Sequence, residues 1–249
     1  MTADASHRWD AGSYDRVADP QVRWGAAVID RLELNGDERV LDAGCGSGRV
    51  TEALLARLPR GSVVAVDVSD DMLAEARRRF EGEPRVELLH RDLVEPLAIE
   101  PVDAILSTAT FHWIDDHDAL FANLAGVLTP GGVMSAQCGG EGNLAAVMEL
   151  LPGAGDDRAV TYASAADTAA RLAEAGFVDV ETWLQPEPTP FMDPARLREF
   201  LRTVILRMYV QQLEPDDADA FVENVAARVP NQTLDYVRLT LRARRASGT

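Results

Sequence analysis

Residues 40–50 read Val40-Leu41-Asp42-Ala43-Gly44-Cys45-Gly46-Ser47-Gly48-Arg49-Val50. A short apolar run of the kind that makes a buried strand enters three alternating glycines, and a helix-like pattern follows at once. Glycines let the main chain turn sharply and let a ligand approach where a side chain would collide. The helix that follows presents its first amides and the positive end of its dipole to that ligand. The loop is therefore read as a nucleotide-like cofactor site at the carboxyl end of a strand in an open α/β sheet. Its spacing is G-x-G-x-G, with Asp42 two residues ahead of the first glycine. That departs from the dinucleotide pattern G-x-G-x-x-G and counts against nicotinamide-dependent redox chemistry.

Outward from this loop, Val63-Val64-Ala65-Val66 ends at Asp67, and Val86-Glu87-Leu88-Leu89 leads through His90-Arg91 to Asp92. Asp42, Asp67 and Asp92 recur at intervals of 25 residues, each just after a β-like run. This is the period of one βα unit, so the three carboxylates are expected along one rim of a parallel sheet. An acid at the second strand end can accept hydrogen bonds from both ribose hydroxyls, and one at the third from an exocyclic adenine amine. A lone acid at a strand end is usually an N-cap or a solvated loop residue; three in register beside a glycine loop make a site.

These stretches, with Asp67-Val68-Ser69, Met72-Leu73-Ala74-Glu75-Ala76-Arg77, Asp92-Leu93 and Leu128-Thr129-Pro130-Gly131-Gly132, resemble class I S-adenosylmethionine-dependent methyltransferases. Within that superfamily, Tyr14, Trp24-Gly25, Phe111-His112-Trp113-Ile114 and the run 239–245 are most similar to the trans-aconitate methyltransferase-like group. The resemblance implies a Rossmann-like, doubly wound α/β sheet of about seven strands with the last strand antiparallel. It implies S-adenosyl-L-methionine as cofactor, held by Asp42, Gly44, Gly46, Gly48, Asp67, Val68, Met72, Asp92, Leu93, Ser107 and Thr108. Substrate-facing residues are expected at Tyr14, Phe111, His112 and Trp113, with no metal.

Composition narrows the substrate. The chain carries 24 basic residues, every one an arginine, against 41 acidic ones, for a net charge of −17. Such a surface repels phosphate backbones and disfavours nucleic-acid substrates. No run of eighteen apolar residues occurs, and residues 1–10 are polar, so no membrane segment or signal is expected. Cys45 and Cys138 are too few for a disulfide framework and lack metal-ligand spacing. A cytoplasmic enzyme acting on a small molecule, as monomer or homodimer, is the expectation.

The resemblance implies a single methyltransferase domain over 1–249 of the 249 residues, and periodicity gives its coarse layout. A helix is expected over 21–34, within an N-terminal lid and helix (1–34), and others over 50–58, 70–80, 118–128 and 166–175. Strands are expected over 102–106, 133–137, 177–183 and 234–244. Residues 185–232 are too long for a simple connection. They open with Pro186, Pro188, Pro190 and Pro194 and continue as helices over 195–212 and 215–228, read as a cap over the carboxyl edge of the sheet.

Phe111 and Trp113 either wall a substrate pocket or seal the sheet end, and His112 either orients an acceptor or serves as its base. Arg23 and Arg49 are candidates for the cofactor carboxylate, and Arg202 or Arg207 for an acidic acceptor. A carboxylate nucleophile is ionised at neutral pH and needs no general base, whereas a phenol, amine or carbon nucleophile benefits from one. With no paired base in sight, O-methylation of a carboxylate or natural-product hydroxyl leads. N- or C-methylation, or a non-catalytic cofactor-binding regulator, are the alternatives.

Overall fold

The computed structural model describes residues 19–151 and 160–247. Seven strands make one sheet: β1 (Arg39–Ala43), β2 (Ser62–Asp67), β3 (Val86–His90), β4 (Val102–Thr108), β5 (Leu128–Gly139), β6 (Phe177–Pro186) and β7 (Val237–Arg245). Their order is β3-β2-β1-β4-β5-β7-β6. The first five strands are parallel. β7 lies antiparallel between β5 and β6, as expected for the last strand.

Why these runs make central strands is visible in the alternation of their burial. Leu41, Val64, Val66, Ile105 and Met134 point to one face, where they meet Leu120, Phe121 and Leu124 of α4 (His117–Val127). Val40, Val63, Ala65, Ala104 and Leu106 point to the other, against Val28, Ile29 and Leu32, Leu54 and Leu55, and Leu73. Those residues lie on or just after α1 (Asp19–Asp30), α2 (Arg49–Leu55) and α3 (Asp70–Arg79). A strand buried on both faces reads as a continuous apolar run, which is what the sequence offers here. α3 has Ser69 as N-cap, acids in its first turn and Arg77, Arg78 and Arg79 in its last, an arrangement that complements the helix dipole. α5 (Ala165–Glu174) begins on a Ser164 cap and precedes the edge strand β6.

Two departures from the expected layout have physical causes. β5 begins at Leu128, before Pro130-Gly131-Gly132, and that segment is accommodated as a register shift against β4. The expected helix over 195–212 is not continuous. It starts as α6 (Pro194–Phe200), passes through a π-helical turn at Leu201–Ile205, and resumes as a short helix at Arg207–Val210. Thr203, Val204 and Ile205 are three successive β-branched residues, which crowd a regular α-turn. The wider turn relieves that crowding, with Leu206 N–H bonding back to the Leu201 carbonyl at 2.7 Å. α7 (Pro215–Ala226) follows. This helical insertion has its own apolar cluster, in which Leu197, Phe200, Leu201, Val222 and Val225 pack with Trp24, Leu144 and Tyr236. Among the described residues, no helix is long and apolar enough to cross a membrane.

Candidate active site

The strand registers set the depth of each acidic residue. Ala43 pairs with Val66 and Asp67 with His90, so Gly44 stands level with Asp67 at the rim. The equal 25-residue intervals therefore do not translate into equal depth. Asp42 sits two residues behind the rim and Asp92 two beyond it. Asp67 and Asp92 line a cavity of about 650 Å³ at the carboxyl edge of the sheet; Asp42 does not. The cavity size suits an organic ligand, for which pockets of roughly 300–1,000 Å³ are usual.

Asp42 is 1% exposed and accepts a 2.6 Å hydrogen bond from the Thr51 hydroxyl. Burial pushes its carboxyl up to about 7, against the Thr51 bond and with a smaller push from the charge of Asp67. The folded protein thus holds a proton that the unfolded chain, with its ordinary value of 3.8, gives up. The stability this contributes is complete at low pH and is lost as pH rises through about 7. Asp42→Asn should flatten that decline. Thermal unfolding followed from about pH 4 to about pH 7 checks it, and equal slopes for variant and wild type would contradict it.

Two glycines of the loop are required for different reasons. A Cβ on Gly44 would lie 2.2 Å from the Thr110 side chain, whose hydroxyl donates to the Gly44 carbonyl at 3.1 Å. Gly46 has φ +56°, and a Cβ there would meet nothing nearer than the Met72 sulfur at 4.0 Å, because it would point into the cavity. Gly46 N–H donates to Asp67 Oδ2 and Ser69 N–H to Oδ1, each at 2.8 Å. One carboxylate thereby ties the glycine loop to the turn after β2. Gly48 lies behind the cavity as the N-cap of α2, against Phe80.

Of the other residues expected at the cofactor, Val68, Met72, Leu93 and Thr108 line the cavity, as does Arg49. Ser107 does not; its hydroxyl donates to the Ala43 carbonyl at 2.7 Å and fastens β4 to β1. Phe111 corrects the substrate-side expectation. It is 1% exposed and packs edge-on against Phe121, ring centroids 5.8 Å apart, so it seals the sheet end. Trp113 and His112 do line the cavity. Tyr14 and the side chain of Arg23 lie outside the described residues. Arg202 pairs with Asp219, and Arg207 is buried beside Met208; neither lines this cavity.

His112 sits in a short 3-10 turn after β4, between the rings of Trp113 (5.0 Å) and Tyr162 (5.9 Å). Its Nδ1 accepts the Gly139 N–H at 3.3 Å. A neutral imidazole that accepts at Nδ1 carries its proton on Nε2. Burial first, then the positive charge of Arg238 and the neighbouring His117, lower its pKa to about 3. The ring is therefore a neutral hydrogen-bond donor at neutral pH, poorly suited to taking up a proton.

Arg238 is a charged residue of the cavity wall that the sequence alone does not single out. It is 4% exposed, lines the cavity, and lays its guanidinium over the Trp24 ring at 4.4 Å, with Tyr236 at 6.0 Å. Stacking of this kind suits a guanidinium more than an ammonium. Its signal was the alternation Arg238-Leu239-Thr240-Leu241 in β7. Leu239 and Leu241 join one core cluster, which turns Arg238 and Thr240 to the opposite face. Arg238 pairs with Gly139 across β5 and β7, and Gly139 is the residue that fixes His112. One strand pair thus positions both polar groups.

A methyltransferase domain model matches residues 40–132. The trans-aconitate 2-methyltransferase of Azoarcus sp. (strain BH72) is 31% identical over 224 residues, covering 86% of each chain. That of Methylobacterium nodulans is 38% identical over 129 residues, 52% of this chain and 49% of its own length. In that match and the similar one to the Acidovorax ebreus protein, the chain spans about half the length of the curated relative. Among solved structures, Haemonchus contortus phosphoethanolamine N-methyltransferase 2, in complex with S-adenosyl-L-methionine, superposes with a TM-score of 0.68 at 20% identity. That match covers 95% of this chain and 57% of that one, and is a likeness of fold.

Proposed function

The chain belongs to the class I S-adenosylmethionine-dependent methyltransferases, in the trans-aconitate methyltransferase-like group, and from that membership we propose that it O-methylates a carboxylate of a small molecule. The observation that carries the reading is the pair of groups on the cavity wall: a neutral His112, whose Nδ1 accepts the Gly139 amide and whose Nε2 therefore carries the proton, near enough to the cationic Arg238 to feel its charge. A donor and a cation recognise an ionised carboxylate, and an ionised carboxylate needs no base. An amine or phenol acceptor would want a proton acceptor at this position.

The residues present fit S-adenosyl-L-methionine. The space that a Cβ on Gly46 would fill accepts close approach of a ligand to the loop. Asp67 lines the cavity at the end of β2 and, as a carboxylate that takes backbone amides at both oxygens, is the kind of acceptor ribose hydroxyls would use. Asp92 and Leu93 line the same cavity beyond β3 and would receive an adenine amine and ring, and Arg49 opens α2 at the cavity wall. When bound, the cofactor supplies an activated methyl on a sulfonium. The protein's part is to orient the acceptor oxygen and exclude water. His112 Nε2–H and Arg238 hold the carboxylate; Trp24 and Trp113 shield it.

Two measurements bear on this. Asp67→Ala should weaken S-adenosylhomocysteine binding by about 1.5–3 kcal/mol, the scale of a charged hydrogen bond. The loss should be smaller for a fragment without ribose hydroxyls; equal losses in calorimetry would make the carboxylate purely a loop tie. His112→Ala should raise KM for the acid roughly tenfold or more with a smaller fall in kcat. No limb near neutrality should vanish from the pH profile, and His112→Asn, which keeps a donor, should recover part of the loss. The deciding experiment is methyl transfer from labelled cofactor to acids, phenols and amines; transfer to amines or phenols alone would refute the carboxylate assignment.

A further inference from the structure

We infer that the acceptor carries a single carboxyl group on an apolar body, and that the helical insertion selects that body; the inference rests on the carboxylate reading above. The cavity wall carries groups of two kinds. Arg238 of β7 and His112 of the turn after β4 supply a cation and a donor. The helical insertion and the segment after β5 supply Val204, Ile205, Met208 and Tyr209, and Leu144 and Met148. Among the described residues, the other cations on the cavity wall are Arg49 and Arg91. These belong to the glycine loop and to the segment between His90 and Asp92, the side assigned to cofactor. Asp115 and Asp116 follow Trp113 and also line the cavity.

An acid with one carboxylate can place it on Arg238 and bury its hydrocarbon against the π-turn. Among the described residues, a second carboxylate would find no further cation outside the side assigned to cofactor, only neutral groups such as Gln137, Asn143 and Tyr162, the hydrocarbon of the insertion, or the like charges of Asp115 and Asp116. A buried charge with no opposite partner is strongly disfavoured. The tricarboxylate for which the curated relatives are named is poorly matched to such a wall.

The test is a set of kcat/KM values for the full chain at saturating S-adenosylmethionine. The acceptors are butanoate, octanoate, the eight-carbon diacid suberate, trans-aconitate, octylamine and 4-butylphenol. Each methylene that becomes fully buried is worth about fourfold, so octanoate should exceed butanoate by at least about tenfold, and suberate by a similar or larger factor. Suberate or trans-aconitate equal to or better than octanoate would overturn the inference and leave the carboxylate reading standing. Methylation of octylamine or 4-butylphenol alone would overturn both. Met208→Arg, with S-adenosylhomocysteine affinity as the check on folding, should lower the octanoate-to-suberate ratio at least about tenfold. An unchanged ratio in a variant that still binds S-adenosylhomocysteine would remove the insertion from acceptor selection.

Discussion

Gly46→Val should abolish S-adenosylhomocysteine binding while leaving the seven-stranded sheet intact. The position has φ +56° and its missing Cβ points into the cavity rather than into the protein. A valine there fills the space the ligand needs and is strained, at a cost of about 1–2 kcal/mol to the fold. That penalty is small beside the stability of a domain of this size. Circular dichroism should show a modest fall in Tm, and calorimetry a loss of affinity of at least about a hundredfold. Gly44→Val is the informative contrast, because its side chain would collide with Thr110 at 2.2 Å and damage the fold itself. Retained affinity in the folded Gly46 variant would detach this loop from the cofactor.

Arg238→Met should lower kcat/KM for the acid acceptor by about 10²–10³-fold with cofactor affinity nearly unchanged. Methionine keeps much of the packing on Trp24 but removes the charge, and loss of one partner from a buried charge pair costs about 2–5 kcal/mol. Arg238→Lys should recover little, since an ammonium reproduces neither the fork nor the stacked plane. A second readout separates this role from a merely structural one. Arg238 is one of the groups that lower the His112 pKa. In the methionine variant the ring should titrate higher, though burial still holds it below 6.5. An NMR titration of His112 that does not move, together with wild-type kinetics, would remove Arg238 from the acceptor site.

Most of the architecture was legible because it depends on periodicity. The runs at 40–43, 63–66 and 102–106, buried on both faces, and the turns at Gly44 and Asp67 all fall where the pattern places them. What escaped was what periodicity does not encode. Asp42, Asp67 and Asp92 share an interval, but register between strands is set by pairing, and it moved Asp42 behind the rim. The 195–212 helix had the right apolar spacing, yet three consecutive β-branched residues altered its winding. Phe111 and Trp113 were equivalent in sequence and opposite in direction, because the 3-10 turn sends one to the core and one to the cavity. Arg238 was hidden by distance: it meets His112 only because β7 is inserted beside β5.

That insertion also governs when the molecule can be completed during synthesis. Of the seven strands of this sheet, β7 is the last to leave the ribosome, yet it occupies an interior position, with β5 on one flank and β6 on the other. Until Val237–Arg245 emerges, β5 and β6 each present an open edge, and open edges invite pairing with other chains. The strand that closes this gap also delivers Arg238. A nascent chain can therefore form its glycine loop and the Asp67 tie early, but Arg238 reaches the cavity wall only at the moment the sheet is sealed.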